Sequence, residues 1–277
     1  MLSIILTIGK FEKAREEALS YMLSAIANQS IQDYELIIVE QCDEKMNYVA
    51  MIDDVVAKIP CSYIAVRGDR YSTTWGYNIG AKNSSGDILV FMCADLIFGN
   101  DYFKQIIDTF PGDYSFGWNK IIKLNAIGSQ RYKQHKQYTA IWSDECIERE
   151  QLPHPLGGAG ASIIYDREFF FKKFGGFNET YTDNLAWDND AGMRTAYAAG
   201  HINPLRWNTI DYCVLHLFHG GRSAGKSNRE MLDITEYNPQ LITDEIIKTG
   251  CGIIGGRKPL DLTRLKGVLN EGSSFRW

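Results

Sequence analysis

Apolar runs alternate with amphipathic segments along the first hundred residues. Four runs rich in β-branched residues predict strands, at 2–8, 34–40, 62–66 and 87–92. Helical spacing of apolar residues predicts helices between them, at 12–28, 45–58 and 73–83. Because strands that are apolar on both faces occur in parallel sheets covered by helices, this pattern predicts an α/β fold with a mixed, mostly parallel sheet and helices on both faces.

Polar residues stand where the predicted strands end. Thr7 and Gly9 close the first strand, Glu40 closes the second, and Asp95 follows the fourth. Since ligands bind beyond the carboxyl ends of parallel strands, we expect these residues to converge on one cleft. Asp95 suits a divalent cation that holds a diphosphate, although a capping role in the turn before Phe98 explains its position equally well.

The pattern loosens after residue 111. The basic, Tyr-rich stretch 118–142 predicts a mobile loop or hairpin insert. Ordered elements are expected again beyond it, as strands at 161–165 and 207–219 and helices at 166–174, 188–200 and 242–249. We expect one domain over 1–220, with halves 1–110 and 111–220. A flexible loop and C-terminal extension, 221–277, is expected to pack on it, with 220–228 a candidate lid.

Composition narrows the function classes. The 277 residues are 45% hydrophobic and 23% charged, as in an ordinary globular enzyme, and the net charge of −5 gives no support for nucleic-acid binding. Locally, 118–137 carries five Lys or Arg residues and no acid. Six scattered cysteines without a Cys-x-x-Cys pair argue against a zinc ribbon and favour a reducing compartment. Without a transmembrane run, the sequence predicts a cytoplasmic protein.

Two acidic residues, Asp188 and Asp190, stand at the start of the helix predicted at 188–200. Asp188 is a candidate general base, which must be ionised and within reach of a hydroxyl. Helix capping with a salt bridge to Arg194 explains Asp188 and Asp190 slightly better on position alone. Trp187 either stacks on a sugar or belongs to the core. Gly158 suits a close approach of substrate to the main chain, although turn use is the commoner explanation.

Two histidines stand in the apolar segment 207–219. A three-residue offset within a strand places His216 and His219 on opposite faces, so we expect only one of them to join Asp95 at a metal. His219, at the loop edge, is the better candidate. A hydrogen-bonded core role is the usual explanation for either.

Together these blocks resemble the family 2-like, GT-A-fold inverting glycosyltransferases over about residues 2–220. The matching segments are Ser72-Thr73-Thr74-Trp75-Gly76-Tyr77-Asn78-Ile79-Gly80, Ser85-Gly86-Asp87, Gly175-Gly176-Phe177-Asn178-Glu179 and Trp187-Asp188-Asn189-Asp190 with Arg194. The Trp-containing segment is similar to the chondroitin-polymerase-like and galactosyltransferase-like branch. The family's Asp-x-Asp motif is Cys93-Ala94-Asp95 here, so only its last carboxylate remains.

The resemblance implies a GT-A, Rossmann-like nucleotide-diphospho-sugar transferase that uses Mn²⁺ or Mg²⁺, with Asp188 as the base. It implies a metal site of Asp95 with His219 or His216. The implied donor-binding residues are Thr7, Gly9, Glu40, Arg67, Trp75, Asn78, Ala94 and Asp95. The implied acceptor- and sugar-binding residues are Gly158, Trp187 and Asp190. Lys10, Arg67 or Arg222 would add positive charge at the diphosphate.

The sequence leaves the identity of the acceptor undecided. A hydroxyl on a glycan, a lipid-linked chain or another carrier is the default, and a UDP-sugar is the expected donor. The basic stretch 118–137, with Tyr132 and the neighbouring Tyr138, also suits an anionic acceptor, including a nucleic acid with a hydroxylated base. A non-catalytic nucleotide-sugar-binding relic is a further alternative. A nucleotidyltransferase is disfavoured because the first strand lacks a Gly-rich, Arg-containing loop.

Overall fold

The structure is a computed structural model. It describes residues 1–9, 11–42, 48–68, 70–138, 142–152, 161–182, 186–200, 208–219, 228, 231–233, 235, 238–249 and 260. The strands are β1 (Leu2–Ile8), β2 (Tyr34–Gln41), β3 (Cys61–Val66), β4 (Ile88–Met92), β5 (Leu96–Ile97), β6 (Tyr114–Phe116), β7 (Lys120–Leu124), β8 (Ile147–Gln151), β9 (Ser162–Asp166) and β10 (Cys213–His216). The helices are α1 (Lys13–Ala27), α2 (Val49–Val56), α3 (Thr73–Lys82), α4 (Tyr102–Thr109), α5 (Ala126–His135), a π-helical turn (Phe169–Phe174), α6 (Trp187–Ala198) and α7 (Pro239–Thr249).

The main sheet has six strands in the order β3-β2-β1-β4-β9-β6. The first four strands are parallel, and β9 runs antiparallel to both β4 and β6. The predicted alternation of strands and helices and the mixed, mostly parallel sheet are confirmed. Because β9 and β6 extend the sheet begun by β1–β4, the two expected halves of the 1–220 domain share one sheet.

A second sheet has the order β5-β10-β7-β8. It contains part of the stretch 118–142, so the expectation of a mobile loop or hairpin insert there is wrong. Ile121, Leu124 and Tyr132 are buried, and this apolar content anchors β7 and α5. The strand expected over 207–219 is also shorter than predicted, because regular pairing within it is confined to β10.

The core lies on both faces of the main sheet. Alternating residues of β1 supply its two sides, with Ile4 and Leu6 in the cluster that includes α1 and α4, and Ile5 in the other. The second cluster is rich in aromatic rings, where Phe91 and Phe177 lie 4.9 Å apart between centroids. This aromatic layer supports α6, whose first residue, Trp187, is a candidate sugar-binding residue.

Described parts of the C-terminal segment are bonded to the rest of the chain. Asn228 bonds the backbone of Thr182, and the Leu260 N–H donates to Thr180 Oγ1 at 2.7 Å. α7 packs against α6 and the π-helical turn. In the part of the chain that the structure describes, every helix is too short or too polar to cross a lipid bilayer.

Candidate active site

An open cavity of about 410 Å³ lies at the carboxyl ends of β1 and β4, between the two sheets. Strands of both sheets line it. Thr7 belongs to β1 of the main sheet, and His216 belongs to β10, which pairs with β5 in the second sheet. Seven of the residues predicted from sequence line it: Thr7, Ala94, Asp95, Trp187, Asp188, His216 and His219. The expected convergence of β1 and β4 ends with the acidic helix start is therefore present.

Asp95 and both histidines form one cluster. His219 Nε2 lies 3.0 Å from Asp95 Oδ2, and His216 Nε2 lies 3.5 Å from Asp95 Oδ1. The expectation that only one histidine reaches Asp95 is wrong. The strand ends at His216, so the alternation of faces no longer applies to His219, and the Leu217 N–H donates to the Asp95 carbonyl, which keeps the chain beside Asp95.

The pKa shifts of Asp95 and His216 favour the forms of these two side chains that bind metal ions. Burial opposes ionisation of Asp95, but the imidazoles of His216 and His219 and the Cys93 thiol outweigh it, so its pKa lies below the usual range. Burial disfavours the charged imidazole of His216 and so lowers its pKa. An ionised carboxylate and a neutral imidazole are the forms that ligate metal ions. Burial and the nearby carboxylate raise the pKa of Cys93, which keeps its thiol neutral.

The donor atoms fit a divalent cation. One ligand atom each from Cys93, Asp95 and His216 lies within 4.8 Å of the others. Asp95 Oδ1 is buried, and among the described residues it has no hydrogen-bond partner. A buried carboxylate oxygen without a partner is costly unless something else binds it. Oxygen and imidazole ligands are compatible with Mn²⁺, and the resemblance in sequence implied this site.

A cation that sequence reasoning missed stands beside this cluster. Arg15 NH2 lies 3.4 Å from His219 Nε2, and Arg15 lines the cavity from the first turns of α1. Its guanidinium also lies over the Phe11 ring. The sequence did contain a signal for Arg15, because it lies near the start of the helix that follows β1, and the carboxyl end of β1 lies at the cavity. Of the cations proposed from sequence, Arg67 is exposed away from the cavity. Lys10 and Arg222 lie outside the described residues.

Asp188 and Asp190 have different surroundings although they stand two residues apart. Asp188 lines the cavity from the first turn of α6. Asp190 is 1% exposed and accepts a hydrogen bond from Arg194 Nε at 3.0 Å and another from Thr235 Oγ1 at 2.6 Å. The structural explanation weighed for this pair therefore holds for Asp190, which pairs with Arg194, while Asp188 lines the cavity. Trp187 lines the cavity with only 4% of its surface exposed.

Residues 10–170 match the family model described as glycosyl transferase family 2. The match covers more than half of the chain. The chain belongs to glycosyl transferase family 2. The motif order therefore identified the family correctly, whereas the similarity to the chondroitin-polymerase-like branch stays a prediction. No curated protein matches the sequence.

Solved structures with the same fold include three glycosyltransferase complexes. S. aureus TarS 1–349 with UDP-GlcNAc has a TM-score of 0.53 at 11% identity, covering 89% of this chain and 70% of that one. The mannosyltransferase PcManGT from Pyrobaculum calidifontis with GDP-Man and Mn²⁺ has 0.50 at 12%, covering 99% and 76%. GalNAc-T7 with UDP, GalNAc and Mn²⁺ has 0.53 at 12%, covering 87% and 49%. At these identities the likeness establishes the fold, which is GT-A.

Two residues of the family's Trp-x-x-Asn segment are buried away from the cavity. Trp75 is 1% exposed, and Asn78 is fully buried. Asn78 Nδ2 donates to the Phe177 carbonyl at 2.8 Å, and its Oδ1 accepts from the Phe177 N–H at 2.9 Å. Asn78 therefore binds the backbone of the Gly-Gly-Phe segment, and its side chain does not line the cavity.

Gln41 supports the end of the cavity at which Thr7 lies. Its side chain donates to Thr7 Oγ1 and to the Ser72 carbonyl, both at 2.8 Å, and so joins the end of β1 to the start of α3. Tyr71, which lines the cavity, packs its ring on Gly9 and donates to the Thr7 carbonyl at 3.2 Å. Glu40, the predicted base-reading residue, is completely buried and does not line the cavity. Gly158 lies outside the described residues.

Most cations of the basic stretch 118–137 point elsewhere. Lys120 pairs with Glu150 at 2.7 Å, and Lys133 pairs with Glu17 at 2.5 Å. Lys136 lies over the Tyr21 ring and does not line the cavity. Lys123 alone among the lysines of this stretch lines the cavity. Burial and the Arg149 guanidinium lower the pKa of Lys123.

Proposed function

We propose that this family 2 protein is a metal-dependent, inverting hexosyltransferase. It moves a sugar from a nucleotide-diphosphate donor, a UDP-sugar, to a hydroxyl of a glycan or carrier acceptor. The observation that carries the proposal is the placement of Asp188 in the same cavity as the cluster of Asp95, His216 and His219. TarS with UDP-GlcNAc and GalNAc-T7 with UDP share the fold and support the choice of donor.

The cation would be Mn²⁺ or Mg²⁺, held by Asp95 with His216 and His219. When bound, it supplies neutralisation of the charge that develops on the departing diphosphate. PcManGT and GalNAc-T7, both in complex with Mn²⁺, support a metal requirement here.

The chain's own residues would carry the remaining steps. The nucleoside lies at the end of the cavity formed by Thr7 and Tyr71, and Arg15 adds positive charge beside the diphosphate. Asp188 accepts the acceptor's hydroxyl proton while that oxygen bonds to the anomeric carbon. The bond from that carbon to the diphosphate oxygen breaks on the opposite face, and the electron pair leaves with the nucleoside diphosphate. One displacement of this kind inverts the anomeric configuration.

The donor site is tested by thermal unfolding with a panel of UDP-GlcNAc, UDP-Glc, UDP-Gal and GDP-Man, with and without Mn²⁺. One UDP-sugar is expected to raise the melting temperature only with Mn²⁺, and Asp95→Asn should abolish the shift. Asp108→Asn is the matched control, because that carboxylate pairs with Lys104 on the surface. Stabilisation that persists in Asp95→Asn would contradict the metal site.

The base is tested with the donor found in that panel. Asp188→Asn should keep the donor-induced shift and lose transfer by about 10²–10⁴-fold, the usual contribution of a general base. NMR of the product should show the anomer opposite to that of the donor. Retained configuration, or wild-type transfer by Asp188→Asn, would refute the mechanism.

A further inference from the structure

A row of basic side chains crosses the second sheet. In the strand register, His216 of β10 pairs with Lys123 of β7, and Lys123 pairs with Arg149 of β8. All three residues line the cavity. Neighbouring strands lie about 4.8 Å apart, so Arg149 stands roughly 10 Å from His216 across the sheet. The row therefore begins at the metal-ligand cluster and leads away from it.

Lys123 and Arg149 form a like-charged pair. Like charges directly opposite one another on antiparallel strands are destabilising. Elsewhere in the same region Lys120 and Lys133 have acidic partners. For Lys123 and Arg149, the structure shows no salt bridge or hydrogen bond within the described residues. A pair placed in this way suits an anion that binds between the two side chains.

The backbone is irregular at the same point. Lys123 pairs with Arg149, whereas Leu124 pairs with Ile147, so Glu148 is the extra residue of a bulge in β8. Adjacent residues of a regular strand point to opposite faces, yet Glu148 and Arg149 both line the cavity. A bulge re-aims side chains in this manner and is common beside active sites. Gln151, two residues from Arg149, also lines the cavity, so Arg149 faces the cavity by regular alternation and the bulge turns Glu148 towards the same side.

The row lies on the acceptor side. The opposite end of the cavity contains Thr7 and Tyr71, where the proposed function places the nucleoside, and the cluster around Asp95 stands between the two ends. Lys123 stands one strand spacing from His216 and Arg149 stands two, so Arg149 is the cation farther from the cluster where the diphosphate would bind. Arg149 is thereby placed to contact a ligand other than the donor's diphosphate.

We propose that Lys123 and Arg149 bind a carboxylate or phosphate group of the acceptor, so that the acceptor is a polyanionic glycan. This inference rests on the proposed function, because it assigns the acceptor of the same site. The planar guanidinium of Arg149 suits two parallel hydrogen bonds to either anion, and Lys123 adds a point charge beside it.

Affinity electrophoresis tests the proposal with polygalacturonate as the carboxylate polymer, polyglycerol phosphate as the phosphate polymer, dextran as the neutral polymer and single-stranded DNA. Wild-type protein should be retarded by one or both anionic glycans and not by dextran. Lys123→Gln and Arg149→Gln should each weaken retardation by about 10-fold or more, as expected for a charge-assisted contact. Lys120→Gln is the matched control, with the same charge change outside the cavity.

The outcomes are separable. Retardation by polygalacturonate alone assigns a carboxylate, and retardation by polyglycerol phosphate alone assigns a phosphate. Equal retardation of all variants, no retardation by either glycan, or tighter DNA binding that depends on Lys123 and Arg149 would overturn the proposal. Lys123→Gln and Arg149→Gln should each melt at or above the wild-type temperature because a repulsive pair has been removed, so misfolding would not explain their weaker retardation.

A donor measurement separates this inference from the proposed function. Both cavity variants should keep the Mn²⁺-dependent shift caused by the UDP-sugar. Loss of that shift in Lys123→Gln and Arg149→Gln would assign the two cations to the donor and overturn the acceptor assignment while leaving the transferase proposal intact. No donor-induced shift in any variant, wild type included, would instead count against the proposed function.

Discussion

Replacing Asp190 by asparagine is expected to destabilise the fold, because its carboxylate belongs to a buried ion pair. The side chains of Asp190 and Arg194 are 2% and 0% exposed, and their closest atoms lie 3.0 Å apart. The other carboxylate oxygen accepts from Thr235 Oγ1 at 2.6 Å. Asparagine keeps the shape of the side chain but removes the charge and one of the two accepting oxygens.

The expected magnitude follows from what remains paired. Breaking a buried ion pair by removing one partner costs about 3–5 kcal/mol. Arg194 would still donate to the carbonyls of Phe174 and Gly176, so the lower end of that range is expected. With an unfolding entropy of about 2.1 cal/mol/K per residue, 3 kcal/mol over a 277-residue chain corresponds to a fall in melting temperature of about 5 °C.

Thermal unfolding followed by circular dichroism measures this change. Glu168→Gln is the matched control, because Glu168 and Lys172 form an ion pair of the same i,i+4 spacing with both side chains 71% exposed. That variant should melt with the wild type, since exposed pairs contribute little. An unchanged melting temperature for Asp190→Asn would refute the reasoning.

Three further outcomes are expected. Gly76→Ala would place a Cβ 2.0 Å from Thr7 Oγ1, so it should raise the KM for the donor, and a wild-type KM would contradict this. Cys93→Asp adds a hard oxygen ligand to the cluster and should lower the Mn²⁺ concentration needed for thermal stabilisation; an unchanged Mn²⁺ titration would contradict this. Burial raises the pKa of Cys61 to about 11, so at pH 8 only about one thiol in a thousand is ionised and a disulfide reagent should label Cys61 far more slowly than a free thiol.

Much of the site was visible in the sequence, because strand ends and helix starts are local features. Asp95 at the end of an apolar run and Asp188 at the start of a helix were both placed correctly in the cleft. The two histidines were harder, since their approach to one carboxylate depends on where β10 ends. Arg15 and Arg149 were missed, because neither belongs to a motif and each reaches the cavity only through packing.

Periodicity determined the alternating strands and helices of the first half and the mostly parallel sheet, and the order of the sequence motifs identified the family. These follow from interactions between residues close in sequence and from the burial of apolar faces. The tertiary structure decided that Asp188 lines the cavity and that Asp190 pairs with Arg194. It also decided that Lys123 and Arg149 stand opposite each other, because strand register and a bulge arise only when distant segments pair.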